Sequence, residues 1–141
     1  MIWIPYALVA AVALAAADFF VKLAAGKLSN SLALLIYGSC SFLAGLVWVA
    51  WQKFNGAPQF AQANGVWAAL GVGVSFSIVT IGLYATFGAG APISVASPII
   101  RLSGLLLAGL AGAFLLREPL TWRYGIGIAL VLSGMYFVVT R

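Results

Sequence analysis

The chain has very few of the residues that carry most enzyme chemistry. Its 141 residues include no histidine, a single cysteine and only two acids. Without histidine, clustered carboxylates or a serine between nucleophile-elbow glycines, we do not expect an enzyme. We expect no metal site either, and no cofactor. Cys40 has no second cysteine to pair with, so an intrachain disulfide is excluded.

Charge is scarce as well, and this scarcity defines the class of protein. Only 6% of the residues are charged and 65% are hydrophobic, whereas a soluble domain carries roughly 25% charge. Apolar runs of about 20 residues match the thickness of a bilayer core. The sequence therefore predicts an all-α, polytopic membrane protein with a single domain over residues 1–141. Its five transmembrane helices are expected at residues 2–23, 32–51, 66–87, 93–116 and 124–140.

An odd number of helices places the termini on opposite sides of the membrane, here called side A (N-terminus) and side B (C-terminus). The basic residues at the helix ends divide evenly: Lys53, Arg117 and Arg123 lie at side A, and Lys22, Lys27 and Arg141 lie at side B. They anchor helix ends to headgroups, so no nucleic-acid partner is implied, and their balance selects no orientation. Either a subtler determinant sets the orientation, or the chain inserts both ways and pairs with its inverted copy. All five tryptophans fall at side A, which argues against dual insertion.

Two charged residues, Asp18 and Arg101, lie well inside the apolar runs, away from the helix ends. An uncompensated charge there costs at least ~2.5–3.5 kcal/mol on insertion scales. From the helical rise, Asp18 lies about 10 Å below the side B end of its helix and Arg101 about 13 Å below the start of its own. Both therefore lie at a similar depth, where they either form a buried ion pair or Arg101 snorkels to the side B surface. A paired Asp18 would stay ionised as a structural or gating residue, whereas an unpaired one could carry a proton.

Helical spacing gives each run one small or polar face. In the fourth run this face combines hydroxyls and Arg101 near side B with a strip of small residues that would let another backbone approach closely. Small residues in membrane helices often do no more than pack, but the hydroxyls and the charges favour a transport path. The predicted transport-path or substrate-site residues are Asp18, Lys22, Ser77, Thr80, Tyr84, Ser94, Ser97 and Arg101, and the predicted helix-packing residues are Gly104, Ala108, Gly112, Gly125 and Ala129.

Several segments together resemble a known family. They are Pro98-Ile99-Ile100-Arg101-Leu102, the turn Arg117-Glu118-Pro119-Leu120-Thr121, the glycines Gly125, Gly127 and Gly134, and the segment from Asp18 to Leu23. Across the whole chain this pattern is similar to the EamA-type half of the drug/metabolite transporter superfamily. The resemblance implies a ten-helix transporter made from two inverted five-helix repeats, with one repeat per chain here. A homodimer, possibly antiparallel, or a pair with a similar half is then expected.

The small multidrug resistance proteins look like four-helix relatives, and they share a first-helix glutamate that binds protons and cations. In this chain Leu14 stands at that position, and Asp18 lies one helical turn closer to side B. The tryptophan-glycine pair common in the family is replaced by Ala15-Ala16-Ala17. Because Arg101 would repel a cationic drug and attract an anion or a zwitterion, a metabolite is favoured over a lipophilic cation.

The sequence thus predicts a secondary transporter or exporter of a small metabolite in the bacterial cytoplasmic (inner) membrane. Two alternatives remain: a non-transporting scaffold or subunit of a larger complex, and a flippase for a lipid-linked solute. The second acid, Glu118, lies in the turn before the last helix, where we expect a local role beside Arg117 or Arg123 and a cap from Thr121.

Overall fold

The computed structural model describes residues 2–119 and 121–140. Arg141, which enters the charge balance at side B, and Leu120 of the turn motif lie outside the described residues, as does Met1. Within the described part, the chain forms five long α-helices. These are α1 (Ile4–Ala24), α2 (Asn30–Phe54), α3 (Ala63–Gly88), α4 (Ile93–Leu115) and α5 (Trp122–Val139).

All five helices are long and apolar enough to cross a membrane, which confirms the predicted all-α class. The middle helices are longer than the apolar runs from which they were predicted. α2 extends through Gln52 and Lys53, and α3 begins at Ala63. Polar residues continue these helices beyond the apolar runs, because the backbone hydrogen bonds of a helix do not depend on hydrophobic side chains.

Short turns with specific capping residues separate the helices. The Ser29 hydroxyl accepts a hydrogen bond from the Leu32 amide at 3.4 Å and caps α2. Gly26 in the same turn has a φ of 77°, a conformation that favours glycine. The Thr121 hydroxyl accepts from the Tyr124 amide at 3.3 Å, which confirms the predicted cap of α5.

The described helices fall into two compact units, the first ending at Ala89 and the second beginning at Gly90. In the first unit, α3 packs against both α1 and α2. Its buried residues all lie in the side B halves of the three helices: Asp18, Ala33, Thr80, Leu83 and Phe87. The side A halves expose large apolar side chains, including Trp48 and Trp67. Packing in this unit is therefore concentrated near one membrane surface.

In the second unit, α4 packs against α5, and Gly109 of α4 lies at this contact. The Tyr124 hydroxyl occupies the space that a side chain at Gly109 would need, and the Tyr124 Cζ atom lies 3.1 Å from that position. Gly112 is buried, and the Glu118 Oε2 atom lies 2.8 Å from where its Cβ would be. The Glu118 amide also donates to the Gly112 carbonyl at 3.1 Å. The carboxylate of the turn is thus folded back onto α4.

The other residues predicted to pack helices lie on exposed positions of the second unit: Gly104, Ala108, Gly125 and Ala129. No atom of another residue lies within 4 Å of where a Cβ would be at Gly104 or Gly125. Their role in packing stays a prediction. Gly109, by contrast, was not among the predicted packing residues. Its contact with Tyr124 depends on how the two helices are rotated, which helical spacing alone does not give.

Replacing Gly109 with alanine is expected to strain the α4–α5 contact, because the new methyl group would overlap the Tyr124 hydroxyl. Overpacking of this kind typically costs about 1–3 kcal/mol. We expect a lower melting temperature in detergent, and a much smaller effect of Gly109→Ala when Tyr124→Leu has removed the ring. Gly127→Ala on α5 is the matched control, since its Cβ would meet open space. An equal loss from Gly127→Ala, or strict additivity with Tyr124→Leu, would contradict the proposed steric contact.

Candidate transport site

Asp18 is the only buried residue of α1, and 2% of its surface is exposed. A membrane helix ordinarily exposes its apolar residues to lipid and keeps charged residues inside or at its ends. No buried side-chain nitrogen or oxygen in residues 2–119 and 121–140 lacks a hydrogen-bond partner. The cost of removing the Asp18 carboxylate from water is therefore offset within the fold. This places one predicted site residue in the interior of a membrane-spanning segment.

Lys22 lies one helical turn beyond Asp18 on the same face of α1. Its ammonium nitrogen stands 5.6 Å from the centre of the Phe87 ring, near the end of α3. Phe87 is 3% exposed. The contact shows that the side B ends of α1 and α3 meet, and that the Lys22 side chain is directed to α3.

The α3 face that turns toward this contact carries Thr80, Leu83 and Phe87, spaced at i, i+3 and i+7. The Thr80 hydroxyl donates to the Phe76 carbonyl at 2.8 Å, and the Ser77 hydroxyl donates to the Gly73 carbonyl at 2.9 Å. Because each hydroxyl hydrogen is used within the helix, the oxygens present acceptor capacity. On α3, therefore, the hydroxyl oxygens of Thr80 and Ser77 are suited to accept hydrogen bonds from a donor.

The remaining predicted site residues of the two units are placed as follows. Tyr84 and Ser77 on α3 are half-buried, as are Ser97 and Arg101 on α4, while Ser94 is exposed near the start of α4. Pro98 lies inside α4, where it has no amide hydrogen to donate to the preceding turn. Arg101 belongs to the second unit and Asp18 to the first. The ion pair between them, which was inferred from their similar calculated depth in the membrane, stays a prediction.

Phe87 is the residue of this site that the sequence did not indicate. A phenylalanine near the end of an apolar helix is indistinguishable by composition from the other aromatic residues that face lipid. The one available signal was positional: Phe87 lies seven residues after Thr80, and therefore on the same helical face.

Comparison with known proteins identifies the architecture. The model of the EamA-like transporter family matches residues 1–140. The chain belongs to the EamA-like transporter family. This confirms the resemblance drawn from the Arg101 segment and the Glu118 turn, and with the five helices it makes the chain an integral, multi-pass membrane protein.

One relative of this EamA-like chain is described as a probable 4-amino-4-deoxy-L-arabinose-phosphoundecaprenol flippase subunit, ArnF, from Shewanella sediminis (strain HAW-EB3). The two are 32% identical over 93 residues, which cover 64% of this chain and 63% of ArnF. The matched part thus spans somewhat less than two thirds of that relative. No solved structure matches this chain.

Proposed function

We propose that this chain is one half of a transporter that moves a lipid-linked, phosphate-bearing amino sugar across the bilayer. The observation that carries the proposal is the burial of Asp18, which is 2% exposed and lies in the side B half of an otherwise exposed helix. Intramembrane ionisable residues are costly and typically mark a substrate or ion pathway. Membership of a transporter family supports the same conclusion. Among the alternatives drawn from the sequence, a flippase for a lipid-linked solute is favoured.

The chemistry of the ArnF solute fits the groups found here. The name of that relative describes an amino sugar, a phosphate and a polyprenol chain. In this chain, the Asp18 carboxylate and the Thr80 hydroxyl oxygen suit a protonated amine, and the Lys22 ammonium suits a phosphate. The exposed apolar surfaces of α1 and α3 suit a polyprenyl tail. A scaffold that only fixes helix register would need none of this complementarity.

We further propose that the chain works as a pair, either with a second copy or with a similar five-helix chain. A single chain supplies five membrane helices, whereas drug/metabolite transporters are built from two inverted five-helix repeats around a midplane site. The word "subunit" in the ArnF name agrees with a divided transporter. The near balance of basic residues on the two sides is compatible with an antiparallel homodimer.

The test is translocation in proteoliposomes that contain the purified chain and a polyprenyl-phosphate-linked amino sugar. A membrane-impermeant amine reagent would measure how fast amino groups appear on the outer surface. We expect translocation to be at least ~10-fold faster than in protein-free liposomes. This threshold is modest, because enzymes typically accelerate reactions by far larger factors. Excess polyprenyl phosphate should compete, whereas the uncharged polyprenol should not. The chain is tested alone and together with each similar five-helix chain. If every one of these translocation rates equals that of empty liposomes, the scaffold function is favoured.

A further inference from the structure

The connection between α2 and α3, residues 54–62, is here called the side A loop, and it exposes two phenylalanines. Phe54, the last residue of α2, is 91% exposed, and Phe60 is 88% exposed. The fold itself leaves both rings almost uncovered. A phenylalanine that stays in water forgoes the gain from burying its apolar surface. An apolar environment outside the fold would therefore stabilise this loop.

The polar groups in the first part of the side A loop are used within the chain. The Asn55 side-chain amide donates to the Trp51 carbonyl at 2.9 Å. The Gln59 side-chain amide donates to the Gln52 side-chain oxygen at 2.9 Å. The Ala57 backbone amide donates to the Gln52 carbonyl at 3.0 Å. Because these groups already have partners, the loop loses less when it leaves bulk water.

The lengths of the two helices place this loop at the membrane surface. α2 has 25 residues and α3 has 26, which correspond to about 38–39 Å, whereas the hydrocarbon core is about 30 Å thick. Both helices therefore reach the headgroup layer, and the short loop that joins them stays near it. Exposed tryptophans mark the same level, where tryptophan is enriched in membrane proteins: Trp48 and Trp51 on α2, whose rings lie 5.7 Å apart, and Trp67 on α3.

The charge of this region also fits a membrane surface. Between Trp48 and Trp67 the sequence contains one charged residue, Lys53, and no acid. Lys53 is exposed, and a cation near the surface is attracted by anionic headgroups. Aromatic rings beside a cation are typical of segments that lie in the plane of the interface. The side A loop therefore matches the boundary layer better than bulk water.

We propose that the side A loop is a membrane-interface anchor. Phe54 and Phe60 enter the boundary between headgroups and acyl chains, and Lys53 contacts anionic headgroups. The partner is the lipid surface itself. Packing within the first unit is concentrated at side B, so the bilayer holds the side A ends of α2 and α3 through this loop. The anchor does not depend on the solute, and it applies equally to a transporter and to a scaffold.

The experiment measures the depth of the side A loop in liposomes of phosphatidylcholine and phosphatidylglycerol. Cys40→Ala removes the single cysteine, so that Ala61→Cys carries one nitroxide label. Electron paramagnetic resonance compares the accessibility of the label to oxygen, which concentrates in the bilayer, with its accessibility to a water-soluble nickel chelate. We expect oxygen to be favoured, and the oxygen-to-chelate ratio to fall at least ~3-fold in Phe60→Ser, because serine does not draw the loop into the apolar boundary.

Three controls make the depth measurement decisive. Phe60→Trp keeps an interfacial aromatic residue and should hold the ratio within ~2-fold. Phe114→Ser removes an exposed ring from α4 and should leave the ratio unchanged. A label at Lys27→Cys, in the turn after α1, gives the value for a turn without aromatic residues. A side A loop as accessible to the chelate as that turn, or shielded from both reagents by a second protein chain, would overturn the proposal.

The headgroup contact of Lys53 has a separate test. We expect the oxygen-to-chelate ratio at Ala61→Cys to rise when phosphatidylglycerol replaces part of the phosphatidylcholine, and Lys53→Gln to reduce this rise at least ~2-fold. Lys27→Gln, which removes a cation at side B, is the matched control and should leave the rise intact. An equal rise with and without Lys53 would overturn the headgroup contact. Depth is measured without translocation, so a failure of flux does not affect these results.

Discussion

Asp18→Asn should abolish most translocation while leaving the helices assembled. The asparagine has almost the same size as the aspartate but no charge with which to bind an amine. Hydrogen bonds to charged groups contribute about 1.5–3 kcal/mol, so we expect flux to fall ~10- to 100-fold. The measurement is the initial rate of amine exposure in proteoliposomes, at matched amounts of reconstituted protein.

Glu118→Gln provides the matched control, because Glu118 is the chain's other acid. Its carboxylate lies against Gly112 in the turn after α4, and the isosteric glutamine retains that packing. We expect flux within ~3-fold of the unmodified chain, as for substitutions away from a site. If the two variants lost flux equally, the burial of Asp18 would reflect stability of the fold and not the passage of a solute.

Exchanging the charges of Asp18 and Arg101 is the second change with a large expected effect. The hypothesis that they pair rests on their similar depth in the membrane, which was calculated from their positions in the apolar runs. If they do, Asp18→Arg or Arg101→Asp alone leaves two like charges in a desolvated layer, and breaking a buried pair typically costs about 3–5 kcal/mol. Because such a loss exceeds a factor of ~100 in the folding equilibrium, we expect each single variant to yield at least ~10-fold less folded protein and the double variant to recover most of it.

The yield of monodisperse protein after size-exclusion chromatography measures this recovery. Recovery of folding without recovery of flux would be expected too, since the exchanged carboxylate would stand on α4 and no longer beside Lys22. If the double variant gave no higher yield than the worse single variant, the pairing hypothesis would be contradicted. The cost of burying Asp18 would then be offset by groups other than Arg101.

The helices, their number and their caps could be predicted because they depend on local sequence. Apolar runs of bilayer length define the membrane spans. The hydroxyl of Thr121 caps α5 by accepting a hydrogen bond from the amide of Tyr124, three residues later. Depth along a helix follows from the 1.5 Å rise, so the level of Asp18 follows from its position within the first apolar run.

Contacts between helices could not be predicted in the same way, because spacing defines a face but not its partner. The face predicted for α1 included Ala11 and Ala15 as well as Asp18, yet both alanines are exposed and only the side B part is covered. The ring of Phe87 over Lys22 and the hydroxyl of Tyr124 over Gly109 depend on helix rotation and on side-chain rotamers. Neither rotation nor rotamer follows from the order of residues along one helix.

The concentration of buried residues at one end of the first unit has a mechanical consequence. Helices that touch firmly at one end and sparsely at the other can tilt about the tight end as a pivot, here the level of Asp18 and Phe87. α3 extends 26 residues, about 39 Å, so a rotation of a few degrees at the pivot displaces the far tip by several ångströms. Such an arrangement amplifies a small rearrangement around a bound headgroup into a wide opening in the opposite leaflet.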